Sequence, residues 1–169
     1  MITKRQMYHT QENRGSILSQ PVQCIKSNAW LGSGFYFWYD LEDALQWGNL
    51  FKGKTGSFQI YEAQIDCQNI FDTVFNEEHY QFWKTQIEKI ARRFYRTTGV
   101  KPSIKQINEY FTEKGTWKDV DGILFQDLPE NQDYVLVIKF WYRKRIQMVV
   151  FDLKVMSNFA KYLEQDCSV

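Results

Sequence analysis

The sequence predicts an α+β fold, on three observations. Segments rich in aromatic and β-branched residues recur at 35–39, 57–65, 121–127 and 134–142 and read as strands. Between them, apolar residues return at helical spacing over about 41–50, 76–97 and 103–111. The chain has 169 residues, 44% hydrophobic and 24% charged, which suits one globular domain over 1–169 with a single substantial core.

In chain order, KRQMYHT is read as a short strand ending near His9 or Thr10, followed by a polar turn at Gly15 and a connecting loop over 19–29. The loop leads into WLGSGFYFWYD, residues 30–40, where Gly32 and Gly34 run into five consecutive aromatics. Paired glycines before so much ring area suit either a core strand after a tight bend or the wall of a pocket. Strand alternation sends Phe35, Phe37 and Tyr39 to one side and Tyr36 and Trp38 to the other.

Asp40, with Asp43 three residues on, is expected to cap a helix whose apolar face carries Leu41, Ala44, Leu45, Trp47 and Leu50, and FKGKTG ends it. A strand over 57–65 follows, then a short extended or turning piece at CQNIFDTVF. From Asn76 to about Thr97 a long amphipathic helix has Tyr80, Trp83, Ile87, Ile90, Ala91 and Phe94 on its apolar side, and Gly99 stops it. Ser103 and Gln106 form a capping box for the next helix, which ends by Gly115. The runs at 121–127, 134–142 and 146–152 read as strands, and SNFAKYLE, 157–164, as a short terminal helix.

A formal net charge of +1 gives no global attraction to nucleic acid or to acidic membranes. Two local basic groups remain. Arg92, Arg93, Arg96, Lys101 and Lys105 span two helices, and Arg143, Lys144 and Arg145 precede the strand that carries Gln147. The scattered Cys24, Cys67 and Cys167 have no ligand-type spacing, and with His9 and His79 the only histidines, no metal site is expected. No apolar run reaches membrane-span length and MITKRQMYHT lacks a signal-peptide core, so the chain reads as cytoplasmic with no membrane partner. Phosphate-binding P-loops, dinucleotide GxGxxG turns, HExxH helices and GxSxG elbows are absent.

Three pieces remain: YHT at 8–10, LGSGFYFWYDLEDALQWG at 31–48 and IQMVVFD at 146–152. Together they resemble the ADP-ribosyltransferase superfamily, in its diphtheria-toxin-like and poly(ADP-ribose)-polymerase-like branch, and in particular small bacterial members. That resemblance implies a split, mostly antiparallel β-sheet with flanking helices and NAD bound in its cleft as co-substrate. It implies that His9 bonds a ribose hydroxyl, that the backbone at Thr10 holds the nicotinamide amide, that Tyr36 stacks on the nicotinamide ring and that Tyr61 supplies a second ring.

Many members of the family carry Glu where this chain has Gln147, and Gln supplies neither a general base nor a negative charge. Three alternatives stay open. Gln147 supports mono-ADP-ribosyl transfer, a carboxylate comes from Asp152, Asp121 or Glu62, or the protein only binds a nucleotide or a partner. The resemblance also implies a macromolecular acceptor, RNA, DNA or protein, and the setting of a toxin restrained by an antitoxin or of a phage-defence effector.

Overall fold

The computed structural model describes residues 3–26, 29–127 and 145–167. The expected strand at 134–142, together with Arg143 and Lys144, lies outside the described residues. Seven strands form one sheet: β1 Lys4–Glu12, β2 Phe35–Trp38, β3 Ser57–Asp66, β4 Ile70–Asp72, β5 Gly122–Asp127, β6 Arg145–Val150 and β7 Met156–Asp166. Their spatial order is β4-β5-β6-β2-β1-β3-β7. Among the described strands only the β4–β5 pairing is parallel, so the sheet they form is mostly antiparallel, as expected. Three α-helices accompany it among the described residues, α1 Leu41–Phe51, α2 Glu77–Thr98 and α3 Ile104–Glu113.

Register assigns the two faces of the sheet, because residues directly opposite on antiparallel strands point the same way. Met7, Phe37, Ala63, Met148 and Leu124 share one face and one apolar cluster. Tyr36, Val149 and Ile123 share the other, where Leu31, Trp83, Ile107, Phe111 and Trp117 bring in α2 and α3. On that second face Trp38 and Ile60 pack against Ala44 of α1. The alternation expected of 35–39 is observed, with Phe35, Phe37 and Tyr39 on the first face and Tyr36 and Trp38 on the second.

Local sequence explains the helix ends. The Asn76 side chain accepts from the His79 amide and opens α2, and Gly99, at φ 71°, closes it. The Ser103–Gln106 capping box opens α3 with both reciprocal bonds present. Asp40 stands at the start of α1 in extended conformation, yet its side chain makes no capping bond there. The apolar face of α1 also differs from expectation. Leu50 is exposed, and buried Gly48 takes its place against the Phe58 ring, where an added Cβ would lie 2.3 Å from the nearest ring carbon.

The expected helix at 157–164 is instead the middle of β7. Its Phe159, Tyr162 and Leu163 do recur at helical spacing, but pairing to the outer edge of β3 satisfies the backbone and outweighs that weak local preference. The pairing is irregular, with register shifts between Ile60 and Tyr61 and between Glu62 and Gln64, and Asn158 sits at φ 55°.

Candidate active site

β6, β2 and β1 are consecutive neighbours in the sheet. They bring Gln147, Tyr36 and His9 onto three adjacent strands although the first and last are far apart in sequence. β2 runs fully paired with β6 from Phe35 to Trp38 but meets β1 at a single register pair, Tyr8 with Trp38. The two strands therefore part from Tyr8 toward Thr10, and the His9 side chain reaches across the gap.

Both ring nitrogens of His9 are engaged. The Val22 N–H points at Nε2 at 3.4 Å, which makes Nε2 the acceptor, so Nδ1 carries the proton and donates to the Tyr36 carbonyl at 2.9 Å. The residue is 5% exposed. Burial pulls its pKa down to about 4, the bond to Tyr36 works in the opposite direction, and the nearby charge of Lys52 depresses it further. His9 is thus a neutral clamp between β1, β2 and the loop that carries Val22.

Tyr36 is held at its hydroxyl, which accepts from the Leu31 amide at 2.9 Å and donates to the Gly32 carbonyl at 2.7 Å. Gly32 adopts φ 109°, a conformation that side-chain-bearing residues rarely take, and this lets the turn fold back onto the phenol. Burial raises the Tyr36 pKa well above its ordinary value. With the hydroxyl occupied, what Tyr36 can offer a ligand is ring surface.

Gly34 permits a close approach of β6 to the backbone before β2. A Cβ there would lie 2.5 Å from Val149 Cγ2 and 2.8 Å from the Val150 carbonyl oxygen, so the glycine admits β6 and not a ligand.

Gln147 is 6% exposed, and Trp30 Nε1–H donates to its Oε1 at 2.6 Å. Because an indole N–H can only donate, it fixes which end of the amide faces the tryptophan. The remaining Nε2 makes no hydrogen bond among the described residues, so the free end of Gln147 is a donor. Around it stand Trp38 directly across the β2–β6 pairing and Phe125 across the β5–β6 pairing. The Arg145 guanidinium lies 5.3 Å from the Trp38 ring centre and pairs with Asp127 at 2.6 Å. Arg145 is the first residue of β6 and a member of a part-buried ion pair, not a free cation in a turn.

The other expected site residues lie apart. Thr10 faces α1, its Oγ1 donating to the Ala44 carbonyl at 2.9 Å. Tyr61 is fully buried. One face of its ring stacks on Phe159 at 4.9 Å and 3°, and its hydroxyl bonds Gln59 and the Leu18 amide. Register places His9 and Tyr61 on one face of the sheet and Tyr36 and Gln147 on the other.

The three alternative carboxylates are committed elsewhere. Glu62 accepts from Gln6, Asp121 takes Lys154 and Asn69, and Asp152 caps the turn at Lys154 and pairs with it. In the first basic group, Lys105 is paired to Glu109 at 3.0 Å and Arg92 to Glu88 at 3.7 Å. Among the described residues no group of three or more His, Cys, Asp or Glu comes together as metal ligands, and no helix is long and apolar enough to cross a membrane. None of Cys24, Cys67 and Cys167 is joined in a disulfide among the described residues.

Two residues escape a reading of the sequence. Trp30 lies 117 positions from Gln147, and nothing local signals their bond. Lys52, in a stretch that reads as a helix stop, is largely buried, and desolvation lowers its pKa. It lies within electrostatic range of His9, Lys26, Arg14, Glu12 and Cys24. A cation near a histidine at a strand end is a signal, but only after folding brings the two together. Compared with family models, curated protein sequences and solved structures, the chain gives no match.

Proposed function

We propose that the chain is an NAD-dependent mono-ADP-ribosyltransferase acting on a macromolecule. The observation that carries this reading is the adjacency of β6, β2 and β1, with β1 and β2 parting just where His9 and Tyr36 stand. On this reading, that parting corresponds to the split expected of an ADP-ribosyltransferase-like sheet. Tyr36, pinned through its hydroxyl, supplies an immobile ring for the flat, cationic nicotinamide. Lys52 supplies positive charge near His9, with Lys26 and Arg14 in electrostatic range of Lys52 in turn, and a pyrophosphate needs such charge.

In the reaction the bond between the nicotinamide nitrogen and the ribose anomeric carbon breaks, and nicotinamide leaves with the electron pair. The acceptor's nucleophile then bonds that carbon and gives up its proton. Positive charge builds on the ribose in the transition state, as in glycoside hydrolysis. The Nε2 of Gln147, the end not bonded to Trp30, is a hydrogen-bond donor, suited to a ribose hydroxyl oxygen and of the wrong polarity to stabilise that charge. Gln147 thus positions, and chain elongation is not expected.

That polarity also favours a second reading, a nucleotide-binding module on the same scaffold that performs no transfer. Incubation with adenylate-labelled NAD and separate protein, RNA and DNA acceptors decides between them. Label on one acceptor class supports the transferase. Saturable NAD binding with no labelled acceptor and no nicotinamide release supports the module, and absence of both binding and label sinks both readings. A toxin or phage-defence role, with an antitoxin restraining it, follows only from the first outcome.

A further inference from the structure

α2 packs through one side only. Trp83 is its one buried residue, and Ile87, Ile90 and Ala91 lie partly buried in the same cluster with residues of the sheet and α3. On the opposite side Lys89, Arg92, Arg93 and Arg96 are all exposed, and helical geometry places them within about 100° of arc.

Ordinary helix chemistry does not account for this stripe. Cations favour a helix C-terminus through the macrodipole, but that effect is confined to the last turn, and of the four only Arg96 stands there. Like charges three or four residues apart weaken a helix, and here Lys89 neighbours Arg92 and Arg93, while Arg96 neighbours the same two. One carboxylate answers them, Glu88, 3.7 Å from an Arg92 side chain that is itself 75% exposed. Lys89, Arg93 and Arg96 make no ion pair among the described residues. With +1 on the whole chain and +4 on the stripe, the rest of the chain sums to −3, so a positive face stands on an otherwise slightly acidic molecule.

Length and residue type narrow the partner. From Lys89 to Arg96 the stripe runs about 10 Å along the helix axis, over which one strand of a duplex presents about three phosphates. Three of the four cations are arginines, whose planar fork grips phosphate oxygens in pairs. A lipid surface would call for a row of apolar side chains beside the charges. On this arc of α2 only Phe82, about two turns before Lys89, is apolar, and the apolar face is turned inward.

We propose that the Lys89–Arg96 face of α2 binds the phosphate backbone of a nucleic acid. Binding there needs no NAD, whereas the bound nucleic acid's being the acceptor rests on the transferase reading.

Fluorescence anisotropy of the full chain without NAD, using labelled single-stranded and duplex DNA and RNA of one length, reads affinity against salt. Binding should be saturable and fall with a slope of about −3 in log affinity against log salt, as three or four phosphate contacts require. Arg93→Gln combined with Arg96→Gln relieves like-charge contacts and so spares the helix, and it should make the slope shallower by about 1.5. Lys4→Gln combined with Lys118→Gln removes the same charge from exposed positions outside α2 and should leave the slope as it was. The tightest of the four nucleic acids identifies the source of the phosphates. Absence of binding at low salt, an unchanged slope in the α2 variant, an equal change in the control pair, or tighter binding of polyglutamate of matched charge overturns the proposal. Each of these outcomes leaves NAD binding and nicotinamide release to be judged separately.

Discussion

Replacing Gln147 by Glu changes the polarity of the site with almost no change of shape. Trp30 Nε1–H still has an oxygen to donate to, and the bond gains charge assistance, which about doubles a neutral bond. The end not bonded to Trp30 turns from a donor into an anionic acceptor. One preorganised electrostatic group facing developing charge is worth about 10²–10³ in rate, or roughly 3–4 kcal/mol. The counter-cost is desolvation of a carboxylate at a position only 6% exposed, partly offset by Arg145 two residues along the same face, whose charge is shared with Asp127. A net destabilisation of about 1–2 kcal/mol is expected, or roughly 3–6 °C in melting temperature for a chain of this size. The assay is nicotinamide release from NAD by folded wild type and variant at matched concentration. The variant should be at least about a hundredfold faster. A folded variant that is no faster than wild type, or slower, refutes the orientation argument for Gln147.

Other consequences follow from the same geometry. His9 has a folded pKa of about 4 against an ordinary 6.5, so between those values the unfolded chain binds the extra proton. The stability it contributes is complete above pH 6.5 and is lost as pH falls toward 4, by about 3 kcal/mol at about 1.4 kcal/mol per unit. Urea unfolding at pH 7 and pH 4.5 should show that loss in wild type and much less of it in His9→Asn, and equal slopes would contradict the clamp. Gly34→Ala drives a methyl into Val149 and the Val150 carbonyl, and about 3 kcal/mol or more of stability should disappear in denaturant titration. A neutral result would mean that β2 and β6 are not in this register. Tyr36→Phe removes two hydrogen bonds but keeps the ring, so stability should drop by about 1–3 kcal/mol while NAD affinity holds within about threefold. A large loss of affinity with intact fold would show that the hydroxyl, and not the ring face, meets the ligand.

What the sequence disclosed and what it hid divide along physical lines. The Ser103–Gln106 box and the stop at Gly99 are local backbone chemistry and are readable from residue type and spacing, whereas the Asn76 cap emerges only in the structure. The alternation of Phe35 to Tyr39 was readable because a strand has a fixed period. β7 was not, because its identity comes from the unpaired edge of β3, about a hundred residues earlier, and not from SNFAKYLE itself. Leu50 and Gly48 exchange roles because the space beside Phe58 admits a backbone but no side chain.

In the candidate site, His9, Tyr36 and Gln147 were legible as separate residues. Their distribution over the two faces of the sheet depends on register, and the bond from Trp30 that orients Gln147 depends on tertiary contact. Tyr61 illustrates the same limit from the other side. An aromatic on a strand suits a ligand or a core equally well until Phe159 is found lying against its ring.

The central claim is that NAD binds where β1 and β2 part, beside Lys52. Calorimetric titration of NAD into the full chain, with Lys52→Gln in parallel, tests it most directly. The prediction is saturable one-to-one binding that weakens on the order of tenfold in Lys52→Gln, accompanied by a rise in the His9 pKa as the opposing charge is removed. Absence of heat with wild type, or equal affinity in the two proteins, would contradict it.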